Sequence, residues 1–226
     1  MTSPDQSLAA LTWRDDTTPV STRFDDPYFS LAGGLDEARH VFLAGNDLPE
    51  RLHPGFAVAE LGFGTGLNLI ALSLLAGQLA LPGPVSFTSF EAYPMSADEA
   101  RRALSAFPEA LSAAEPLLQA LSEGTTRFTL GRIEAEIVRG DARETLPRWS
   151  GAADAWFLDG FSPAKNPELW EPGLMAELAR HTRPGGSFAT YSAAGAIRRA
   201  LDAAGFDVTR TPGFAGKRHM SRGSLK

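Results

Sequence analysis

From residue 56 onward, apolar and polar positions fall into blocks whose period switches between that of a strand and that of a helix. Phe56–Leu61 is a short apolar run with the length of a buried strand, and Leu67–Leu75 behind it has helical spacing. The alternation continues with strands over about 85–90, 133–138, 153–158 and 187–192. Helices fall over about 66–77, 96–106, 141–149, 169–182 and 194–204; Ser96 with Glu99 forms a capping-box start for the second. Strands over 206–211 and 216–225 close the chain as an antiparallel pair. This pattern predicts an α/β fold: a mostly parallel seven-stranded sheet with helices on both faces. Upstream, residues 11–30 read as a β-hairpin or arm with a turn at Asp25-Asp26-Pro27, and Leu35–Ala44 reads as a helix ended by Gly45-Asn46. Residues 107–131 hold two prolines and a helix over 113–121, an elaboration between the second and third strands. Residues 1–10 are expected to be disordered. The expected division is an extension, 1–52, packed on a core domain, 53–226.

The polar residues cluster where the strands end, which is where open α/β sheets bind ligands. Gly62, Gly64 and Gly66 alternate between the first strand and its helix. Glycines there allow a sharp turn and a close approach to a ligand, and the helix start adds free N–H groups. A dinucleotide fingerprint needs G-x-G-x-x-G, so the third glycine stands one place too close for an NAD oxidoreductase. The order Glu60-x-Gly62-x-Gly64-x-Gly66 instead resembles motif I of the Rossmann-like class I S-adenosylmethionine (SAM) methyltransferases. In that reading the helix end receives the SAM carboxylate, Glu60 faces its ammonium through water, and Phe63 and Asn68 belong to the same corner. Glu91, ending the second strand, is placed to accept the ribose hydroxyls. Asp141 and Ala142, after the third, are placed at the adenine, although Asp141 is also a good helix N-cap. Asp159, ending the fourth, lies next to the place of the sulfonium. For the glycines alone, a tight turn that binds nothing is the competing reading.

Composition narrows the class. The chain has 226 residues, 43% of them hydrophobic, which suits one globular domain with a small extension. It has no cysteine and four scattered histidines with no i, i+4 pair, so no metal site is expected. The sequence holds no run of roughly 18 apolar residues, so no membrane span is expected. The first residues lack the basic and apolar parts of a signal peptide, and the absence of cysteine fits a cytoplasmic protein. The net charge of −6 argues against generic nucleic-acid binding, but it is unevenly spread. Residues 187–226 carry seven Lys and Arg against two Asp, a balance of +5, which leaves −11 on residues 1–186. A basic patch near the C-terminus is therefore expected, with a solvated charged tail as the alternative.

Asp159 suggests the reaction. An aliphatic ammonium must lose a proton before its nitrogen can attack a methyl group. A carboxylate beside it can orient the amine and help remove that proton. The loop that follows, Asp159-Gly-Phe-Ser-Pro-Ala-Lys-Asn-Pro167, lacks the Asn/Asp-Pro-Pro-aromatic motif of adenine N6 methyltransferases, which weighs against an aromatic amine. Lys165 could meet a phosphate there, and Phe161 could pack on a base or in the core.

These stretches are joined by Phe24-Asp-Asp-Pro-Tyr-Phe-Ser30, Glu37-Ala-Arg-His-Val-Phe-Leu43, Ser89-Phe-Glu-Ala-Tyr-Pro94, Arg183-Pro-Gly-Gly186 and Gly213-Phe-Ala-Gly-Lys-Arg218. Together, over residues 13–220, they resemble the methyltransferase domain of the tRNA 5-methylaminomethyl-2-thiouridine biosynthesis bifunctional proteins (the MnmC family), also found alone as MnmD. The resemblance implies SAM-dependent methylation of 5-aminomethyl-(2-thio)uridine at wobble position 34 of tRNA. It implies SAM contacts from Glu60, Gly62, Phe63, Gly64, Gly66, Asn68, Glu91, Asp141 and Ala142, and Asp159 as general base or orienting group. Tyr28, Phe161, Lys165, Lys217 and Arg218 become candidates for contact with the anticodon loop. The bifunctional proteins continue into an FAD oxidase that removes a carboxymethyl group. No second glycine fingerprint occurs in this chain, so no FAD and no oxidase domain are expected, and a monomer is the expected form. The competing functions are methylation of a small-molecule or protein amine and a non-catalytic tRNA-binding module. The intact glycines and Asp159 weigh against the second.

Overall fold

The computed structural model describes residues 8–30 and 32–226. The arm is a three-stranded antiparallel sheet rather than a hairpin: β1 (Leu11–Arg14), β2 (Thr18–Ser21) and β3 (Asp26–Pro27), in that spatial order. Its turns use Asp15, Asp16 and Asp25 at positive φ, a conformation aspartate tolerates better than most residues. The expectation of disorder over 1–10 fails for 8–10 and lies outside the described residues for 1–7. Ala9 is buried, and its N–H donates to the Pro94 carbonyl at 3.0 Å.

The predicted helix over 35–44 is three short pieces in a row. They are α1 (Gly34–Glu37), a π-helical turn (Ala38–Leu43) and a 3-10 turn (Ala44–Asn46), followed by α2 (Leu48–Arg51). Gly45 does not stop the helix. It lies where a Cβ would come within 2.9 Å of both Ala189 and Met220, so it lets this segment press against the main sheet. Asn46 is buried beside it and donates to the Phe42 and Trp156 carbonyls. The chain turns one residue later, at Asp47, with φ 53°.

The remaining elements in chain order are β4 (Ala57–Leu61), α3 (Leu67–Gln78), β5 (Val85–Glu91), α4 (Ala97–Leu104), α5 (Pro108–Ala113), α6 (Glu115–Glu123), β6 (Arg127–Leu130), β7 (Ile133–Arg139), α7 (Ala142–Thr145), β8 (Ala153–Leu158), α8 (Pro172–Arg180), β9 (Thr182–Thr190), α9 (Gly195–Ala203), β10 (Phe206–Thr211) and β11 (Met220–Leu225). The main sheet has eight strands among the described residues, in the order β10-β11-β9-β8-β4-β5-β7-β6, not the seven expected. The extra one is β6, a short and mostly exposed edge strand paired antiparallel to β7 through a turn at Gly131. Its four residues bury one side chain, so they leave little periodic signal. The elaboration around it holds two helices, each with proline in its first turn, where one was expected. Arg183-Pro-Gly-Gly186 lies inside β9 and bulges within its pairing with β8. The parallel core and the antiparallel β10/β11 pair follow the expectation.

Two layers of side chains flank the sheet. One holds Val58, Phe87 and Phe157 against the segment 35–52 and helices α3 to α6; the other holds Leu61, Trp156 and Phe188 against α7 to α9. Because side chains alternate along a strand, Glu60 and Ser89 share the α3 side with Val58 and Phe87, and Asp159, just past β8, falls on the side of Phe157. The chain leaves β4 for β5 and β7 on one side and returns to β8 and β9 on the other. The switch point therefore lies between β4 and β8. No helix among the described residues is long and apolar enough to cross a membrane.

Candidate functional site

A cleft of about 430 Å³ opens over that switch point. Its floor is the turn from β4 to α3. Gly62, Gly64 and Gly66 all have positive φ, 89°, 55° and 78°. A Cβ on Gly62 would lie 2.7 Å from the Asp159 carbonyl oxygen, and one on Gly66 would lie 2.6 Å from Leu117. The turn therefore needs glycine for its backbone angles and for the closeness of β8 and α6. The helix start carries no side-chain cap, which leaves its first N–H groups for a ligand.

Four carboxylates organise this end of the sheet. Glu60 is fully buried; it accepts hydrogen bonds from the Asn68 amide at 2.8 Å and the Ser89 hydroxyl at 2.6 Å. Burial above all, and then the neighbouring Asp159, pushes its carboxyl well above the usual range. Asn68, on the first turn of α3, uses the same amide nitrogen to donate to Asp159 at 2.6 Å. Burial pushes Asp159 up to about 7; the Asn68 bond and Lys217 pull it down, and Glu37 adds to the rise. Glu91 accepts from the backbone N–H of Gly64 at 3.0 Å and of Tyr93 at 2.7 Å, and is held up by burial against those bonds. Asp141 caps α7 through the Arg143 N–H and also pairs with the Arg143 guanidinium, which pulls its carboxyl below the usual range.

The arm roofs the cleft. Phe161 packs between Phe24 and Tyr28, with ring centroids 4.8 Å apart in each case. Asp26 accepts from the Ser162 N–H at 2.9 Å, and Lys165 bonds to the Asp25 carbonyl and lies 3.4 Å from Asp26. β3 is thereby fastened to the loop that follows Asp159.

Of the residues singled out from sequence, Tyr28, Gly62, Phe63, Gly64, Asn68, Glu91, Asp141, Ala142, Asp159, Phe161 and Lys217 line the cleft. Glu60 and Gly66 lie beneath it and act through Asn68 and the turn. Lys165 serves the arm, and Arg218 stands exposed beyond the rim. The tail's basic patch is reduced, because Lys217 and Arg222 pair with Glu37 and Asp47 of the acidic body and Lys226 pairs with Asp202 of the tail itself. Sequence reasoning missed Glu37 and Tyr191, both in the cleft. Glu37 stood in a quoted stretch but was read only as part of a helix, and Tyr191 follows an apolar strand with nothing to mark it.

The cleft fits SAM. Its floor lacks side chains where a ligand must approach closely. The carboxyl of Asp159 is raised by burial, which a sulfonium beside it would relieve, and Glu91 is placed to accept the ribose hydroxyls. No group of three or more metal-ligating side chains occurs among the described residues.

Known proteins agree with this geometry. The chain is 46% identical to the tRNA 5-methylaminomethyl-2-thiouridine biosynthesis bifunctional protein MnmC of Pseudomonas paraeruginosa, over 96% of this chain and 35% of that protein. It is 46% identical to the MnmC of a Caulobacter species, over 95% of this chain and 38% of the relative. The chain thus spans about a third of the length of these curated relatives. Among solved structures, MNMC2 from Aquifex aeolicus superposes with a TM-score of 0.76 at 26% identity, covering 99% of this chain and 72% of that one. A family profile described as S-adenosyl-L-methionine-dependent methyltransferase matches residues 108–226. With more than half of its length in that match and a SAM-shaped corner at its switch point, the chain belongs to the S-adenosyl-L-methionine-dependent methyltransferase family.

Proposed function

We propose that this chain methylates the aliphatic amine of 5-aminomethyl-(2-thio)uridine at wobble position 34 of tRNA, giving 5-methylaminomethyl-(2-thio)uridine. The observation that carries the reading is Asp159: a half-buried carboxylate, fixed by Asn68 beside the SAM corner, with its pKa raised to about 7. A base poised near neutrality suits removal of a proton from an alkylammonium, whereas an aromatic amine needs no such help. The names of the MnmC relatives, which share nearly the whole of this chain, supply the nucleoside.

When bound, SAM supplies an activated methyl group, so that a C–N bond forms to the acceptor as the C–S bond breaks and S-adenosylhomocysteine leaves. Gly62, Gly64, Asn68, Glu91, Asp141 and Ala142 would hold the donor. Asp159 accepts a hydrogen bond from the acceptor ammonium and takes its proton, which leaves the nitrogen lone pair free. Asn68 keeps that carboxylate aimed into the cleft. Phe24, Tyr28 and Phe161 offer aromatic surface to a splayed anticodon base, the way single-stranded RNA is commonly read. The proposed partner is therefore the anticodon loop of tRNA, met in the cytoplasm by a single copy of the chain.

The test is methyl transfer from labelled SAM to tRNA carrying 5-aminomethyl-uridine at the wobble position, beside tRNA carrying the N-carboxymethyl form. Label entering only the first supports the proposal. Label entering neither, with SAM binding intact, overturns it in favour of a small-molecule or protein amine.

A further inference from the structure

Beyond Asp159, at the end of the cleft away from Glu91 and Asp141, two charged side chains meet that the donor site does not use. Glu37 closes α1 and is only 13% exposed; Lys217 comes from the turn between β10 and β11, and its ammonium lies 2.6 Å from the Glu37 carboxylate. The same ammonium stands 5.1 Å from the centre of the Tyr191 ring, whose hydroxyl donates to the Gly160 carbonyl at 2.7 Å. The pair is thus tied through one ring to the residue next to Asp159. Glu37, Lys217, Tyr191 and Asp159 all line the cleft.

We propose that Glu37 and Lys217 are specificity-determining residues that select the acceptor by charge: they admit an alkyl amine and reject one whose nitrogen bears a carboxylate group. The inference rests on the alkyl-amine acceptor proposed above. An alkylammonium entering beside Asp159 finds that carboxylate and a lysine whose charge Glu37 already balances. A carboxylate-bearing acceptor meets Asp159 as a like charge, and the Glu37–Lys217 pair, already balanced, offers it no counter-ion. The nearest cation, Lys217, is engaged. Taking Lys217 from Glu37 would strand a nearly buried carboxylate without its counter-ion, which is strongly unfavourable. Rejection by a charge left unpaired is a common source of specificity.

The test is competitive binding to the full chain of two tRNAs that differ only at the wobble amine, one aminomethyl and one N-carboxymethylaminomethyl. Wild type is expected to prefer the first by about tenfold or more, the scale of one like-charge contact. Glu37→Gln should bring the ratio to within about threefold, chiefly by gaining affinity for the carboxymethyl form as Lys217 becomes free to pair with it. Lys217→Met should widen the ratio instead. A gain of affinity cannot come from a damaged fold. A clasp with no selective role would leave the ratio unchanged in Glu37→Gln, or weaken both tRNAs equally, and either result overturns the filter. Wild type that methylates the aminomethyl tRNA while Glu37→Gln keeps its ratio refutes the filter alone. Wild type that methylates neither tRNA refutes the proposed function and the filter with it.

Discussion

The side-chain amide of Asn68 donates a hydrogen bond of 2.6 Å to Asp159. That bond favours the ionised carboxylate and draws its pKa down against the rise caused by burial. Asn68→Ala removes it and should move Asp159 further up. At pH 7 less of the base is then ionised, and the carboxylate is also free to rotate. The expected result is a loss of about tenfold or more in kcat/KM at pH 7, the scale of misplacing a general base, with the acid limb displaced to higher pH. Asn68→Ala with an unmoved limb would show that the bond does not set the ionisation.

For wild type, kcat/KM should fall below about pH 7, where Asp159 takes up a proton in the free enzyme. Asp159→Asn should lose about 10²–10⁴ in rate, the range for removing a general base, and should lose that limb. A pH series of initial rates for both proteins checks this. An Asp159→Asn protein that keeps the same limb would assign it to another group.

The same carboxylate has an opposite consequence for stability. Its folded-state pKa is raised from an ordinary value near 3.8 to about 7. A raised group contributes stability that is complete below the unfolded pKa and is lost as pH rises through the folded one. Charging Asp159 therefore costs stability between about pH 4 and pH 7, and the cost stays constant above that. Asp159→Asn has no such cost, so it should be more stable than wild type by roughly 2–4 kcal/mol at pH 8, with the gain shrinking toward pH 4. Thermal melts of both proteins at pH 5 and pH 8 test the sign.

The parallel core was legible because its strands are long apolar runs that alternate with helical spacing, as in Phe56–Leu61 and Leu67–Leu75. The strand-end carboxylates were legible because each directly follows such a run. The register that lets Glu60 and Asp159 share one amide was not, because it depends on which faces of β4 and β8 look toward α3. β6 was hidden by its exposure at the edge. Glu37 and Tyr191 reach the cleft only through the approach of α1 and the end of β9, a contact between residues far apart in the chain. Lys165 and Lys217 look alike in sequence; what separates them is which carboxylates the fold brings beside them.

Gly62 is a direct test of the corner. At φ 89° an alanine is strained, and its Cβ would lie 2.7 Å from the Asp159 carbonyl, backbone that cannot swing aside. Gly62→Ala should destabilise the protein by about 1–3 kcal/mol, the cost of such backbone strain. It should also weaken SAM binding, since relief requires β4 and β8 to part at their ends. Calorimetric titration with SAM, run beside Gly77→Ala, separates this from a general glycine effect, because Gly77 has open space around its Cβ position.

Lys165 and Arg218 should part company in tRNA binding. The ammonium of Lys165 is engaged with Asp25 and Asp26, so its first role is to fasten the arm to the loop after Asp159. The Arg218 side chain stands exposed, next in sequence to the cleft-lining Lys217. A cation that meets a phosphate releases a counter-ion, and its removal lowers the slope of log K against log salt by about 0.7–0.9. Arg218→Ala is therefore expected to flatten the salt dependence of tRNA binding by about that amount, with the arm undisturbed. Lys165→Ala should leave the slope nearly unchanged and speed amide exchange over residues 24–29, because the arm loses one of its fastenings while the bond from Ser162 to Asp26 remains. Tryptic nicking near Arg23 would follow the same opening. A flattened slope in Lys165→Ala, with exchange unaltered, would mean that the lysine leaves its aspartates for the RNA and that the arm is fastened by Ser162 and the packing of Phe24, Tyr28 and Phe161 alone.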